Sequence, residues 1–586
     1  MIKLLKGLKP FTWGVAAVLI LVFLQSMGDL YLPTLMSDIV DKGIVQGDRD
    51  YIWKIGGYML LVAGGGALCS VIASYLSAKV AAGFGRNTRS KMFKHVENFT
   101  LHEFDKIGTA SLITRTTNDI TQVQTVLTMM LRMMVGAPMM MIGGIIMAVS
   151  EDAKLSLIFV IVIPVLVGAI FLIGMKGLPL FKAIQIKLDT LNRVLREHLT
   201  GIRVIRSFNR IDHENRRFSA ANKDLTETAI KVNKIMAGLM PVMMIVMNFS
   251  MIGILYYGGI RIGDGDLQVG SLMAFIQYAM QIMFSLIMVS MMFVLIPRAS
   301  ASALRINEVL DMQPEINDPT TGELETTATA TKEDGRDTMH GFVEFDNVSF
   351  SYPGAEQPAL SGISFSARPG EITAIIGGTG SGKSTLLSMI PRFYDVIEGA
   401  IRVDGVDVRE MTQEELRSKI GYIPQKAVLF TGTINENIRY GKEDATDEEI
   451  VHAAKVAQAY DFVTAMKDGF ESEIAQGGNN VSGGQKQRLS IARALVRRPE
   501  VYLFDDSFSA LDFKTDAMLR AALKSETTES TVLIVAQRVS TVMDADRIIV
   551  LDEGTIAGIG NHRELMENSE VYREIVSSQL SEEEIA

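Results

Sequence analysis

The residues best suited to chemistry lie in a glycine-rich stretch that follows a short apolar run, Ile372 to Ile376. The stretch reads GGTGSGKST, and the spacing GxxxxGK[ST] is that of a phosphate-binding loop. Glycines let several backbone N–H groups approach one anion, and the helix that follows points its positive end at the same charge. We expect Lys383 to neutralise nucleotide phosphates and Ser384 to ligate Mg²⁺. The predicted loop residues are Gly377, Gly378, Thr379, Gly380, Ser381, Gly382, Lys383, Ser384 and Thr385.

Other candidates for a nucleotide site lie on either side of this loop. The apolar run Val501 to Phe504 ends in Asp505, which is predicted to hold Mg²⁺ through water. Gln425, in GYIPQ, is predicted to reach the same ion through its side-chain carbonyl, and Tyr352, in FSYPG, to stack on adenine. A second anion site is expected where a helix begins after Ser482, Gly483, Gly484 and Gln485. The predicted cofactors are ATP and Mg²⁺.

Length and hydropathy indicate two different domains around these motifs. A chain of 586 residues is too long for one core. Its mean hydropathy of +0.22 is high, and the apolar residues concentrate before residue 300, which predicts a membrane domain followed by a soluble one. A net charge of −10 without a basic, aromatic-rich stripe argues against nucleic acid as a partner. The single cysteine, Cys69, excludes internal disulfides and structural zinc.

Six segments are long and apolar enough to cross about 30 Å of hydrocarbon. They are Trp13 to Leu35, Ile55 to Ala78, Thr128 to Val149, Leu155 to Met175, Met236 to Tyr257 and Leu272 to Ile296. Lysines and arginines concentrate before the first segment, after the second and between the fourth and fifth. Because basic loops stay on the cytoplasmic side, both termini are predicted to be cytoplasmic.

The two long inner loops are predicted to be helical stalks rather than coil. In the second loop Leu188, Leu191, Leu195 and Leu199 recur at helical spacing. Breaks that could dock a soluble domain are predicted near residues 107–120 and 207–218, and Phe208 in the second break is a candidate for a knob that enters a pocket. The alternative is that Phe208 packs against a neighbouring stalk.

Polar residues within the spans should face a bundle interior or a cavity, because they are costly in lipid. Asp29, Gln277 and Gln281 are candidates for a substrate cavity, although for Asp29 a buried helix–helix hydrogen bond is the favoured role. Arg132 is expected to snorkel at the inner boundary. The chain holds 34 methionines, whose flexible side chains suit either a promiscuous cavity or interhelical filling.

From Gly341 onward short branched strands alternate with helical segments, which predicts a largely parallel sheet covered by helices. The segment 311–340 is rich in Thr, Glu, Asp and Pro without an apolar period, as is typical of a linker. The predicted fold class is therefore an all-α six-helix transmembrane domain with long cytosolic stalks, residues 1–310, followed by an α/β P-loop nucleotide-binding domain, residues 341–586.

The motifs GGTGSGKST, VSGGQ, VYLFDD and SALD together resemble those of the ATP-binding cassette exporters, and specifically of bacterial multidrug half-transporters. The resemblance covers essentially the whole chain. It implies a multi-pass protein of the bacterial cell membrane that exports hydrophobic compounds as a dimer of twelve spans. Each ATP would lie between the phosphate loop of one subunit and the SGGQ segment of the other, and the two stalk breaks would be the coupling helices.

Two positions depart from the family pattern. Asp506 stands where the family has the glutamate that polarises the attacking water, and Gln537 stands where it has a histidine. Aspartate is shorter by roughly 1.5 Å, and glutamine cannot carry the charge or proton of histidine. The sequence therefore predicts a site that binds ATP and hydrolyses it slowly. The intact SGGQ segment predicts a heterodimer with a homologous half-transporter that supplies Glu and His.

Two alternatives remain open. A lipid flippase would have the same architecture, and a nucleotide-gated regulatory or channel subunit would also need intact phosphate and signature loops. An importer fits less well, because the membrane domain is fused and the stalks are long.

Overall fold

The computed structural model describes residues 1–319 and 340–580. These residues form two compact units: Met1–Glu97 with Thr109–Met312, and Asn98–Gly108 with Gln313–Ala586. Most of the predicted linker, residues 320–339, lies outside the described residues.

The first unit is helical throughout its described elements. In chain order these are α1 (Ile2–Leu5), a 3-10 turn (Lys6–Phe11), α2 (Thr12–Asp38), a π turn (Ile39–Ile44), α3 (Arg49–Glu97), α5 (Thr109–Thr114), a second π turn (Arg115–Asp119), α6 (Ile120–Glu151), α7 (Leu157–Thr200), α8 (Ile202–Ser207), α9 (Ile211–Ala237), α10 (Leu239–Gly263) and α11 (Val269–Asp311). Among the described residues six helical stretches are long and apolar enough to cross a membrane. Their outer faces carry many exposed large apolar side chains, as lipid contact requires.

The core of this unit forms where α11 packs against its neighbours. Phe275, Tyr278 and Ile282 recur on one face of α11 and are fully buried. The Tyr278 hydroxyl lies 2.8 Å from Thr34 Oγ1 and donates to the Leu30 carbonyl at 3.1 Å, which satisfies its polar group inside the bundle.

A buried carboxylate completes the start of α11. Asp41, on the first π turn, accepts hydrogen bonds from the backbone N–H groups of Gly270 at 2.7 Å and Ser271 at 3.1 Å. These amides have no partner within the helix, so Asp41 serves as a cap supplied by another part of the chain. The cap ties the π turn to α11.

Charged pairs join the second π turn, which directly precedes α6, to the C-terminal part of α11. Asp119, which is buried, accepts hydrogen bonds from Ser302 Oγ at 2.9 Å and from the Arg305 guanidinium. Arg115 pairs with Glu308 at 2.7 Å. Both contacts lie in the stalk part of the helices.

The first stalk break overlaps the predicted range only at Gly108. Residues 109–119, inside the predicted break, are helical, and the chain instead interrupts at 98–100 and at Gly108. Between these points α4 (Leu101–Ile107) begins with a capping box of Thr100 and Glu103 and ends at Gly108, whose φ of 79° favours glycine. The capping residues Thr100 and Glu103 were therefore the sequence signal for the start of this short helix, and the sequence analysis overlooked them. α4 belongs to the second unit, where Glu103 Oε1 accepts from the Glu315 N–H at 3.0 Å.

Within its described residues the second unit contains twelve strands. They are β1 (Val343–Phe350), β2 (Leu360–Ala367), β3 (Ile372–Gly377), β4 (Glu398–Val403), β5 (Val406–Asp407), β6 (Ile420–Ile423), β7 (Gly432–Thr433), β8 (Glu473–Ile474), β9 (Val501–Asp505), β10 (Thr531–Val535), β11 (Arg547–Asp552) and β12 (Thr555–Gly560). The main sheet has the order β12-β11-β3-β10-β9-β6, in which all neighbours are parallel except β11 and β12. A four-stranded antiparallel sheet has the order β2-β1-β4-β5, and β7 pairs with β8.

Helices cover this sheet on both faces. They are α12 (Lys383–Met389), α13 (Gln413–Ser418), α14 (Ile434–Arg439), α15 (Asp447–Val456), α16 (Tyr460–Thr464), α17 (Gly483–Leu495), α18 (Phe513–Glu526), α19 (Val539–Val542), α20 (His562–Asn568) and α21 (Glu570–Ser577). Alternate residues of the strands enter two separate cores, Ile376 and Phe504 in one and Ile375 and Leu503 in the other. Strands buried on both faces read as continuous apolar runs, which is why the sequence identified them. The predicted fold class is confirmed.

Candidate functional site

The phosphate-binding loop leaves the central strand β3 and leads into α12. At two positions of the loop only glycine fits, because any side chain would clash with a neighbouring backbone carbonyl. A side chain at Gly377 would collide with the Leu551 carbonyl, and at Gly382, where φ is 96°, a Cβ would lie 2.7 Å from the Ala359 carbonyl oxygen. The loop is thus held against its neighbours by backbone contact.

Lys383, the first residue of α12, is buried beneath this loop. Its Nζ donates to the carbonyls of Gly377 at 2.9 Å and Gly378 at 2.6 Å. Burial lowers the pKa of the Lys383 ammonium, and the charges of Asp506 and Asp505 act against that shift. A phosphate at the loop would add the counter-charge that a buried ammonium favours.

Asp505 ends β9, two strands from the loop, and its carboxylate joins the loop to the Gln425 segment. Ser384 Oγ donates to Asp505 Oδ1 at 2.7 Å, and the Tyr422 hydroxyl donates to Oδ2 at 3.4 Å. Burial raises the pKa of Asp505, and burial together with the Asp505 charge raises the pKa of Tyr422 to about 12. The tyrosine therefore stays a neutral donor.

Asp506, directly after β9, is fixed at both its backbone and its side chain. Its φ is 47°, in the left-handed region, and its N–H donates to the Val535 carbonyl at 3.0 Å. Its Oδ2 accepts from Gln425 Nε2 at 3.0 Å and from Gln537 Nε2 at 2.8 Å. Two amides therefore hold one carboxylate oxygen, and both residues flagged as departures from the family pattern meet in this contact.

The pocket around these groups has a volume of about 380 Å³. It lies at the carboxyl ends of the parallel strands, where an open α/β sheet binds ligands. Its lining residues are Tyr352, Ala359, Thr379, Gly380, Gly382, Lys383, Ser384, Thr385, Gln425, Asp506, Val535 and Gln537. Gly377, Gly378, Ser381 and Asp505 are not among them, although Lys383 and Ser384 contact all four.

Tyr352 lies at the rim of this pocket, where it is partly exposed. Its hydroxyl is 2.9 Å from Thr385 Oγ1, and its ring packs edge-on against Phe350 and Tyr394 at centroid distances of 5.0 and 5.4 Å. These contacts fix the ring beside the start of α12.

The predicted second anion site lies at the start of α17 and does not line the pocket. Ser482 and Gln485 form a capping box, in which the Ser482 N–H donates to Gln485 Oε1 at 2.9 Å and the Gln485 N–H donates to Ser482 Oγ at 3.3 Å. Ser482 and Gly483 are exposed, so the positive end of the 13-residue helix faces outward.

Two residues that hold the pocket's side chains and backbone in place, without lining the pocket, were missed by the sequence analysis. Tyr422 lies three residues before Gln425 in GYIPQ, so its position in a recognised segment was the available signal. Gln579, after α21, donates from Nε2 to the Gln537 carbonyl at 2.8 Å and accepts from the Val539 N–H at 2.9 Å. Its distance of 42 residues from Gln537 left no local signal.

The transmembrane unit contains a separate cavity of about 870 Å³ between α2, α6, α7, α10 and α11. Asp29 and Gln281 line it, but Gln277 is exposed on α11 and does not. Arg132, expected at the membrane boundary, lines the cavity as well. Ten of the lining residues are methionines: Met129, Met133, Met140, Met240, Met243, Met244, Met247, Met280, Met283 and Met288.

The candidate coupling residue, Phe208, lies directly after α8 at the tip of the second stalk. Its side chain is 74% exposed. The structure thus leaves this aromatic ring available at the predicted break.

Comparisons with known proteins assign the architecture. Residues 15–286 match the ABC transporter transmembrane region family, and residues 360–509 match the ABC transporter family. An uncharacterised ABC transporter ATP-binding protein of Mycobacterium tuberculosis is 42% identical over 98% of this chain and 97% of that protein. An ATP-dependent lipid A-core flippase of Chromobacterium violaceum is 31% identical over 94% of this chain and 92% of that protein.

A solved structure agrees with these matches. The structure of a bacterial Atm1-family ABC exporter with ATP bound aligns with a TM-score of 0.79 and 25% identity, covering 97% of this chain and 99% of that one. With one membrane domain followed by one ATP-binding domain, and with such relatives along nearly its whole length, this chain belongs to the ABC transporters and is an ATP-driven half-transporter of the exporter fold.

Proposed function

We propose that this chain is one subunit of a heterodimeric exporter of hydrophobic compounds, and that its own ATP site hydrolyses slowly. The observation that carries the proposal is the arrangement at Asp506, whose carboxylate is held by the side-chain amides of Gln425 and Gln537. A general base needs an acceptor oxygen directed at water. Here one oxygen of that group already accepts two hydrogen bonds.

The short side chain of Asp506 is a second reason to expect slow hydrolysis. The backbone of Asp506 is fixed by its left-handed conformation and by the hydrogen bond to Val535, so the main chain cannot advance to replace the missing methylene. A misplacement of about 1 Å already costs on the order of 10²-fold in rate. Gln537 contributes a neutral amide, which cannot carry a proton at this position.

The rest of the pocket is suited to hold ATP. The loop amides and Lys383 would bind the phosphates, and Tyr352 would contact the base. Ser384, Gln425 and Asp505 offer oxygen atoms, the ligand type that Mg²⁺ prefers, with Asp505 acting through water. The described residues include no cluster of three or more acidic, His or Cys side chains that could hold a metal, which fits an ion bound by few protein ligands and the phosphates. The ion would neutralise phosphate charge when bound.

The start of α17 would serve the partner's nucleotide. The SGGQ segment matches the family pattern and forms the capped, exposed start of a helix. Its residues are Ser482, Gly483, Gly484 and Gln485. The partner should then supply Glu and His at the positions of Asp506 and Gln537.

The transmembrane cavity supports a hydrophobic substrate, since methionine side chains adapt to varied apolar shapes. We place the protein in the bacterial cell membrane with both termini cytoplasmic, from the distribution of basic residues. The flippase relative favours lipid as a second candidate substrate. Transport of labelled lipid without transport of soluble hydrophobic compounds would identify that alternative, and ion conductance without either would identify a gated channel.

The decisive experiment compares the two ATP sites in the assembled transporter, reconstituted with the half-transporter that co-purifies with this chain. Asp506→Asn should change the ATPase rate by less than about twofold, since this carboxylate contributes little to turnover. Replacing the partner's glutamate should nearly abolish the rate. Asp468→Asn, an exposed acid on the same unit, is the matched control. A large loss from Asp506→Asn, or full-speed hydrolysis by this chain alone, would contradict the proposal.

A further inference from the structure

The cavity between the transmembrane helices contains two hydrogen-bond acceptors that lack sufficient donors. Gln281 uses its Nε2 to donate to the Asp29 carbonyl at 3.1 Å, and its Oε1 is buried with no hydrogen-bond partner among the described residues. The Asp29 carboxylate receives only one long bond, 3.5 Å from Gln25 Nε2. A buried acceptor without a donor is unfavourable, and the half-buried Asp29 carboxylate beside it has unused acceptor capacity, so this pair is suited to a ligand that donates.

The two acceptors belong to neighbouring helices and line the same cavity. Asp29 is on α2 and Gln281 is on α11, and the bond between Gln281 and the Asp29 carbonyl holds them side by side. A carboxylate accepts only and carries negative charge, whereas the amide oxygen adds direction without charge. A ligand that satisfies both must combine positive charge with N–H groups.

The remaining charge in the cavity lies at a different level. Gly136 on α6 lies level with Val22 and Ser26 on α2. On α6, Arg132 lies one helical turn before Gly136. On α2, Asp29 lies one to two turns beyond Val22 and Ser26, in the opposite direction. The charges of Arg132 and Asp29 are therefore roughly 10–16 Å apart along the helix axes. The hydrogen bond that the Asp29 carboxylate accepts comes from the neutral amide of Gln25, so no cationic side chain of the described bundle pairs with it.

We propose that Asp29 and Gln281 form a subsite for a primary or secondary ammonium group, so that the transported compound is a hydrophobic amine with N–H donors. This inference rests on the proposed function and specifies its substrate class. The methionine walls would contact the apolar body of the compound, while the acceptor pair fixes its nitrogen. A quaternary ammonium has the same charge and no N–H, so it satisfies Asp29 only in part and Gln281 not at all.

The test uses the reconstituted transporter and four dansyl-alkyl probes of equal chain length, which end in a primary ammonium, a trimethylammonium, a hydroxyl or a carboxylate. The primary ammonium should bind about 10-fold more tightly than the trimethylammonium and hydroxyl probes, because charge-assisted N–H bonds are the strongest available here. Binding is measured by dansyl fluorescence, and ATP-dependent transport by probe uptake into inverted vesicles.

Asp29→Asn and Gln281→Leu should each remove most of the preference for the primary ammonium probe over the trimethylammonium probe. Gln277→Leu is the matched control, since it changes the same residue type one turn away on α11 but outside the cavity. Retained preference in both cavity variants would overturn the subsite, as would equal binding of the two ammonium probes by the unaltered protein.

The same experiment separates this inference from the proposed function. ATP-dependent transport of the hydroxyl probe without preference for the amine would overturn the subsite and leave the exporter. Preferred binding of the carboxylate probe, lost in Arg132→Gln, would also overturn it in favour of an anionic amphiphile. Absence of ATP-dependent transport for all four probes would contradict both proposals.

Discussion

The nucleotide pocket and the transmembrane cavity differ in how their polar groups are satisfied. In the pocket Lys383, Ser384, Asp505 and Asp506 all contact other protein groups at 2.6–3.0 Å. In the cavity ten methionines surround a few polar side chains, and Gln281 Oε1 has no partner among the described residues. These contacts suit the pocket to one ligand of fixed geometry, whereas the adaptable methionine side chains suit the cavity to ligands of varied shape. Substitutions should therefore have larger effects in the pocket.

The largest effect is expected at Lys383. Lys383→Ala should weaken ATP binding to the purified full-length chain by at least about 100-fold, because it removes the charge-assisted contacts to two phosphates. Binding of a fluorescent ATP analogue measures the change, and Lys467→Ala, at an exposed position, is the control. Unchanged affinity would mean that the phosphates bind elsewhere.

The next effect tests whether the pocket is limited by its two departures from the family pattern. Asp506→Glu combined with Gln537→His should raise ATP hydrolysis at this site by about 10-fold or more, because it restores reach and a proton-carrying group. Phosphate release is measured in the assembled transporter with the partner's glutamate replaced, so that only this site contributes. No gain from the double variant would show that other residues limit the rate.

A smaller effect is expected at the stalk tip. Phe208→Ala should reduce transport about fivefold while ATP binding to the chain stays unchanged, since a buried aromatic contact at an interface contributes strongly to docking. Phe181→Ala, an exposed aromatic on α7 outside both predicted breaks, is the matched control. Equal transport in both variants and the unaltered protein would favour packing of Phe208 against a neighbouring stalk.

The smallest effect is expected in the cavity wall. Met243→Leu should change transport of hydrophobic probes by less than about twofold, because the swap conserves volume and nine other lining methionines can repack. The probe series described above provides the measurement. A loss as large as that expected for Phe208→Ala would show that the wall is shaped for one compound.

The sequence predicted the fold class because both halves have strong local signals. Long apolar segments specify spans, and the continuous runs of β3, β9 and β10 specify strands buried on both faces. Motif spacing predicted ten of the twelve residues that line the pocket, while Ala359 and Val535 carry no chemical signature. Gln277 and Gln281 lie one turn apart on nearly the same face of α11, so placing only Gln281 inside the cavity depended on how far the cavity extends along the helix, which sequence alone does not fix.

The clamp formed by Gln579 has a consequence for how the pocket can be altered from a distance. One amide side chain holds both the carbonyl of Gln537 and the N–H of Val539, so a residue just after α21 helps to fix the position of Gln537 against Asp506. Replacing Gln579 with leucine would loosen that segment without touching nucleotide or magnesium. A substitution at residue 579 therefore alters the geometry of the ATP site from outside the residues that line it.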